Sequence, residues 1–171
     1  SLLIKVNQLP EALLQSLQNI KGFDEAAFTA VHQSGGQVTS VRINPGKSSG
    51  QYSIINNQYS IFNNQYSIFN IQGRVPWSTN GFYLTERPSF TLDPLFHAGA
   101  YYVQEASSMF LEEVIRQTCD LTQSLRVLDL CAAPGGKSTL IQSLISDQSL
   151  LVSNEVIKTR ANILAENITK W

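Results

Sequence analysis

The stretch Val127–Thr139, VLDLCAAPGGKST, runs an apolar strand directly into a glycine turn that opens a helix. α/β proteins hold nucleotide-like cofactors at such junctions. Leu125–Leu130 is apolar apart from Arg126 and Asp129, the composition of a parallel strand covered on both faces. Gly135 and Gly136 lack a Cβ, so they admit positive φ and a close approach of backbone N–H groups to a ligand. Together with the positive end of the helix starting near Lys137, those amides favour a carboxylate or a ribose oxygen. Asp129 is placed to cap the loop amides from the strand end.

Spacing tests two familiar forms of this loop. In GxxxxGK[ST], Gly136, Lys137 and Ser138 match, but Cys131 stands where the first glycine belongs. The dinucleotide pattern GxGxxG needs three spaced glycines, and here an adjacent pair follows Pro134. Neither pattern fits. A second polar signal comes one βα unit later, where Leu150–Ser153 reads as a short strand ending at Asn154 and Glu155. An acid at the end of the second strand, about 20 residues after the glycines, is positioned for both ribose hydroxyls of an adenosine cofactor. Loop and acid together point to S-adenosylmethionine. The competing readings are an ordinary tight βα turn at the glycines and, for Glu155, an acid favoured by the dipole of a helix opening at Val156.

CAAPGGKST, followed by SNEVIKTRANILAEN and preceded by DPLFHAGAYYVQEASSM, resembles the Sun-type family of RNA cytosine-5 methyltransferases, close to its bacterial 16S rRNA branch. The resemblance covers nearly the whole chain except residues 50–72. It implies an α/β fold: a small N-terminal α+β module, then the first part of a Rossmann-like methyltransferase domain. By position it makes Cys131, Ala132, Ala133, Pro134, Gly135, Gly136 and Lys137 the cofactor loop and Glu155 the ribose acid. Arg160 matches a basic position of the helix after the second strand, and a solvated helix face or an ion pair competes with that role. Gln104, Glu105, Ser107 and Ser108 match the motif before the first strand. Ser107 or Ser108 also reads as the cap of a helix with the apolar stripe Phe110, Leu111, Val114 and Ile115.

The same resemblance implies a cysteine thiolate from a later strand that attacks C6 of cytosine, and a second cysteine that assists product release. Neither motif occurs in these 171 residues, whose cysteines are Cys119 and Cys131. Cys131 reads as a small residue packed beneath the cofactor, Cys119 as a buried or half-buried helix residue. With the sequence ending at Trp171, a truncated domain is expected: sticky apolar faces, a partial cofactor site and no methyl transfer by this chain alone. A non-catalytic RNA- or partner-binding remnant is the alternative, and a nucleotide hydrolase built on Gly136, Lys137 and Ser138 a third reading.

Composition agrees with an intracellular chain. Two cysteines give no disulfide framework, no apolar run nears the roughly 18 residues that span a bilayer, and no signal peptide is evident, so cytoplasm is expected. No membrane or metal partner is indicated. The implied partner is RNA, small-subunit rRNA before tRNA. Charge supports this weakly: residues 1–100 carry six basic and five acidic groups, residues 101–171 six and eight. The phosphate-binding surplus is therefore expected either in a C-terminal part absent from these residues or from Arg42, Lys47, Arg74 and Arg87 converging on one face. Trp77, Phe82, Tyr83 and Phe90 lie between such charges, as stacking platforms or as core.

Residues 1–93 read as the RNA-positioning module and 94–171 as the start of the methyltransferase domain, with Pro88–Pro94 between them. Leu9-Pro10-Glu11 starts a helix with Leu13, Leu14 and Leu17 on one face, and Asp24 caps a second that Gly35-Gly36 stop. Val38–Ile43 alternates as a strand closed by Asn44-Pro45-Gly46, and Val75–Leu84 supplies further strand. His97 reads as a hydrogen-bonded structural residue. Residues 51–71 contain three tandem heptads, QYSIINN, QYSIFNN and QYSIFNI, an inserted duplication foreign to the family pattern. Their β-prone composition predicts a small hairpin at the module's edge and a tendency to aggregate.

Overall fold

The computed structural model describes residues 9–36, 38–47, 53–55, 58–60 and 70–171, and the chain divides into two compact units, Ser1–Val38 and Thr39–Trp171. In the first, Pro10 precedes α1 (Glu11–Leu17) with φ −61°, the value its ring imposes. Helix α2 (Glu25–Gln33) begins where expected because the Asp24 carboxylate accepts the Ala27 N–H at 2.9 Å. Phe23 and Phe28 meet edge to face at 5.4 Å, and Gly35 turns the chain out of the helix with φ +62°.

The second unit is built on β1 (Thr39–Ile43), every residue of which is buried. After β1, Asn44-Pro45-Gly46 turns as its sequence predicts: the Asn44 carbonyl accepts from the Lys47 N–H and its side chain from the Gly46 N–H. Within the heptads, β2 (Ser53–Ile55) and β3 (Gln58–Ser60) pair antiparallel, Ile54 opposite Tyr59. They form a two-stranded sheet of their own and add nothing to the larger sheet, contrary to expectation. Residues 61–69, the end of the second copy and most of the third, lie outside the described residues. Strands β4 (Ile71–Arg74) and β5 (Gly81–Leu84) follow, so Val75–Leu84 is half strand and half turn: Pro76-Trp77 and Thr79-Asn80 interrupt what reads as one strand.

After a 3-10 turn at Phe90–Leu92 come α3 (Pro94–His97) and β6 (Tyr101–Val103). The four strands form an antiparallel sheet in the order β4-β5-β1-β6. β6 pairs with β1, so residues on either side of 93/94 share one sheet. One face of β1 sends Val41 and Ile43 into a core with Phe82, Leu84, Phe90, Ala100 and Tyr101. His97 donates to or accepts from nothing catalytic; its Nε2 lies 2.9 Å from the Thr91 carbonyl.

Helix α4 (Ala106–Met109) leads into α5 (Leu111–Thr118). Ser107 and Ser108 fall inside α4 and cap nothing; Glu105 holds the N-cap position without a side-chain bond. Phe110 and Val114 of the expected apolar stripe are exposed, while Leu111 packs against the cluster of Val75, Ala106, Met109 and Leu140. Cys119 ends α5 and is exposed, not buried, because the chain leaves the helix there in extended conformation.

The parallel pair β7 (Arg126–Asp129) and β8 (Leu150–Ser153) aligns Val127 with Leu151 and Asp129 with Ser153. Between them runs α6 (Gly136–Gln142), and α7 (Lys158–Lys170) follows. Burial alternates along both strands, so the residues 126/128 and 150/152 face is open. Leu128 is 59% exposed and Leu150 56%, which corrects the expectation of a strand covered on both faces and agrees with that of uncovered apolar surface.

Candidate cofactor site

The polypeptide turns between β7 and α6 through a cis Ala133–Pro134 bond and Gly135, whose φ of +111° lies where a side chain is strained. The Gly135 N–H closes the turn on the Ala132 carbonyl at 2.7 Å. A Cβ on Gly135 would lie 3.4 Å from Leu164 Cδ1, and one on Gly136 3.3 Å from Tyr102 Cε1. The bare sides of both glycines therefore face the chain's own residues, and at Gly135 the positive φ favours glycine. In the first turn of α6, the N–H groups of Gly136, Lys137 and Ser138 find no backbone acceptor among the described residues.

The rest of the loop is held from three sides. Asp129 caps it as expected, its Oδ1 accepting the Cys131 N–H at 3.3 Å, while its Oδ2 accepts from Ser138 Oγ at 2.8 Å. Ser153 Oγ reaches Ser138 Oγ at 2.8 Å, so both strand ends are tied to α6. Asn154 accepts the Ala132 N–H on its backbone carbonyl and donates its side-chain amide to the Leu130 carbonyl at 3.0 Å. From α7, Arg160 Nη2 donates to the Ala133 carbonyl at 2.8 Å and Asn167 Nδ2 to the Pro134 carbonyl at 2.7 Å. Tyr102 Oη donates to that same carbonyl at 3.1 Å, and burial raises its pKa against the pull of Arg42.

Glu155 is the polar group left over. Its side chain is 4% exposed. Oε1 accepts the Ile157 N–H at 3.0 Å, because the helix opens at Lys158 and not at Val156. Oε2 is buried without a hydrogen-bond partner among the described residues, Arg160 Nη1 lying 3.6 Å away, beyond hydrogen-bond length. A buried carboxylate oxygen left without a donor is costly, and a ligand hydroxyl would satisfy it. An acceptor in this position suits a ribose hydroxyl of an adenosine cofactor.

Ala132 and Ala133 are buried with Leu164, whereas Cys131, Pro134 and Lys137 are exposed. The Cys131 thiol is thus not packed into the protein interior. Arg160 forms the ion pair that competes with a cofactor role and braces the loop as well. Gln104 joins the site's support from below, Nε2 donating to the Gly136 carbonyl at 3.1 Å, while no hydrogen bond joins Glu105, Ser107 or Ser108 to the loop among the described residues. Sequence reasoning missed Asn167 and Tyr102 as loop supports. The spacing of Arg160, Leu164, Asn167 and Trp171 at four, three and four residues marks one helical face and is the signal that finds the first of them.

The basic residues do not build an RNA-binding face as expected. Arg42 is buried, Lys47 Nζ is spent on the Ala98 and Lys170 carbonyls, and Arg74 and Arg87 lie over the Phe82 and Phe90 rings. Phe82 and Phe90 are core, and Trp77 donates to the Ala106 carbonyl at 2.7 Å, in line with the packing reading of these aromatics. Among the described residues no helix is long and apolar enough to cross a membrane, and no group of three or more His, Cys, Asp or Glu is arranged to hold a metal ion.

Residues 9–106 match the family model for the N-terminal domain of 16S rRNA methyltransferase RsmF, and residues 117–171 that for 16S rRNA methyltransferase RsmB/F. A ribosomal RNA small subunit methyltransferase F from Aeromonas salmonicida is 36% identical over 101 residues, 56% of this chain and 21% of the relative. Its counterpart from Shewanella halifaxensis is 36% identical over 105 residues, 56% of this chain and 22% of the relative. The matched part spans about a fifth of these relatives' length. A solved methyltransferase homologue from Pyrococcus horikoshii superposes with a TM-score of 0.64 at 25% identity, over 95% of this chain and 53% of its own.

Proposed function

The chain belongs to the RsmF family of 16S rRNA methyltransferases, and from that premise we propose that it forms the N-terminal part of an enzyme that methylates C5 of a cytosine in small-subunit rRNA, with tRNA the lesser candidate. Residues 1–93 position the RNA and residues 94–171 begin the methyltransferase domain, in the cytoplasm and without a metal. The cofactor is S-adenosylmethionine, which supplies the methyl group. Cys131 to Lys137 and Glu155 hold it, with Arg160 fixing both the loop and the acid. The observation that carries this reading is Glu155 Oε2, buried beside the loop with no hydrogen-bond donor.

Chemistry on a pyrimidine ring carbon needs a nucleophile to raise its electron density. Cys119 and Cys131 are both exposed and neither stands at the family position of the thiolate, so residues 1–171 alone transfer no methyl group. The test is transfer of labelled methyl from S-adenosylmethionine to small-subunit rRNA by the complete protein that contains this chain, followed by digestion to nucleosides. Label recovered as 5-methylcytidine supports the reading. Label at another atom or base refutes the C5 assignment, and binding of rRNA without label transfer favours a non-catalytic remnant.

A further inference from the structure

Arg42, in the middle of β1, is 2% exposed and among the largest fully buried side chains. Burial pushes its pKa down to about 9, against the attraction of Glu112 and Tyr102, so it remains a cation at neutral pH. No carboxylate pairs with it among the described residues. Its donors instead meet neutral acceptors: Nε reaches Gln104 Oε1 at 2.8 Å, and Nη2 reaches Thr139 Oγ1 at 2.6 Å and the Gly136 carbonyl at 3.3 Å. Nη1 lies 3.4 Å from Ser143 Oγ, and the Trp171 ring covers the guanidinium at 4.4 Å.

A buried cation without a counter-charge is a poor way to stabilise a core, since apolar side chains of similar volume do so at lower cost. What an arginine adds is a rigid planar fork that fixes the groups it touches. Here the fork meets the first turn of α6, where the glycine loop ends. The Gly136 carbonyl accepts from Arg42 Nη2 and also from Gln104 Nε2 at 3.1 Å and Thr139 Oγ1 at 3.2 Å. Gln104 is itself held by Arg42, so β1 and the residue after β6 together grip the loop-to-helix junction.

We propose that Arg42, acting through Gln104 and the Gly136 carbonyl, is a positioning residue that sets the glycine loop in its cofactor-binding geometry. The antiparallel sheet then supports the cofactor loop from β1 and from the residue after β6. The proposal rests on the S-adenosylmethionine reading above.

The experiment uses the complete protein containing this chain, as wild type, Arg42→Lys and Gln104→Met. Lysine keeps the charge and loses the fork; methionine removes one donor from the Gly136 carbonyl. Two quantities are measured: the dissociation constant for S-adenosylmethionine by calorimetry, and amide exchange at Thr139–Ser143 without cofactor. Each variant is expected to weaken binding by about tenfold, the equivalent of one charge-assisted hydrogen bond, and to speed exchange in α6 while β5 keeps its wild-type rate. Wild-type affinity and exchange in folded variants overturn the proposal. So does faster exchange everywhere, or failure of both variants to fold, because either result assigns the cluster to the core alone. A wild type that binds no S-adenosylmethionine refutes the cofactor reading instead, and local exchange in α6 then still decides whether Arg42 positions the loop.

Discussion

Gly135 and Glu155 differ in how much of their role is written locally. The need for glycine at 135 is hinted at in PGGK itself, because an adjacent glycine pair before a helix marks a turn that admits positive φ. That the bare sides of Gly135 and Gly136 face Leu164 and Tyr102 is not visible, since both neighbours come from distant sequence. Gly135→Ala is expected to cost about 1–3 kcal/mol of stability, from backbone strain at φ +111°. Urea unfolding monitored by far-ultraviolet circular dichroism measures it, and an unchanged midpoint would remove φ as the reason for the glycine. The burial of Glu155 Oε2 without a hydrogen bond was not legible, because the placement of α7 holds Arg160 Nη1 3.6 Å away. Cys119 and Arg42 were misjudged for a related reason. Apolar or charged character sets an average tendency, whereas the end of a helix or the centre of a sheet decides burial.

Between elements, the buried Glu112 of α5 clamps the β4–β5 turn. Its carboxylate accepts from Ser78 Oγ at 2.7 Å, from the Thr79 N–H at 3.1 Å and hydroxyl at 2.7 Å, and from Arg116 at 3.1 Å. Burial pushes its pKa up, but these donors together outweigh that and hold the carboxyl below its usual value of 4.5. A carboxylate with a lowered folded pKa binds its proton more tightly when unfolded. Its stabilisation is therefore fully present above pH 4.5 and fades as pH falls through the lower folded value. Thermal midpoints across that acid range should fall less steeply in Glu112→Gln than in wild type; parallel curves would show that the clamp contributes nothing to acid sensitivity. No sequence signal announced this clamp, since Ser78 and Thr79 lie over 30 residues away from Glu112. Helix α2, by contrast, was legible from Asp24 to Gly35 because its cap and its stop are local.

Across the whole chain, the four-stranded sheet and the parallel pair finish differently. The four-stranded sheet buries β1 completely, while the parallel pair leaves Leu128, Leu150 and Val152 open on one face. Exposed apolar surface of this kind drives association. Residues 1–171 studied alone should therefore self-associate, and Leu128→Lys with Val152→Lys should reduce the weight-average mass in sedimentation without lowering the thermal midpoint. Association unchanged by the pair would place the sticky surface elsewhere, for instance in the heptad segment. The α/β class was legible from motif order and hydrophobic pattern. The pairing of β6 with β1 was not, because it is a long-range contact that no local sequence encodes.

The central claim is that the loop Cys131 to Lys137 and Glu155 form a cofactor site, and calorimetric titration of S-adenosylmethionine into wild type and Glu155→Ala of the complete protein tests it directly. Binding by wild type that weakens about 10- to 100-fold in a folded Glu155→Ala variant is the predicted result, the loss expected for hydrogen bonds to a charged group. Equal affinity in the two proteins, or no binding by folded wild type, would contradict it.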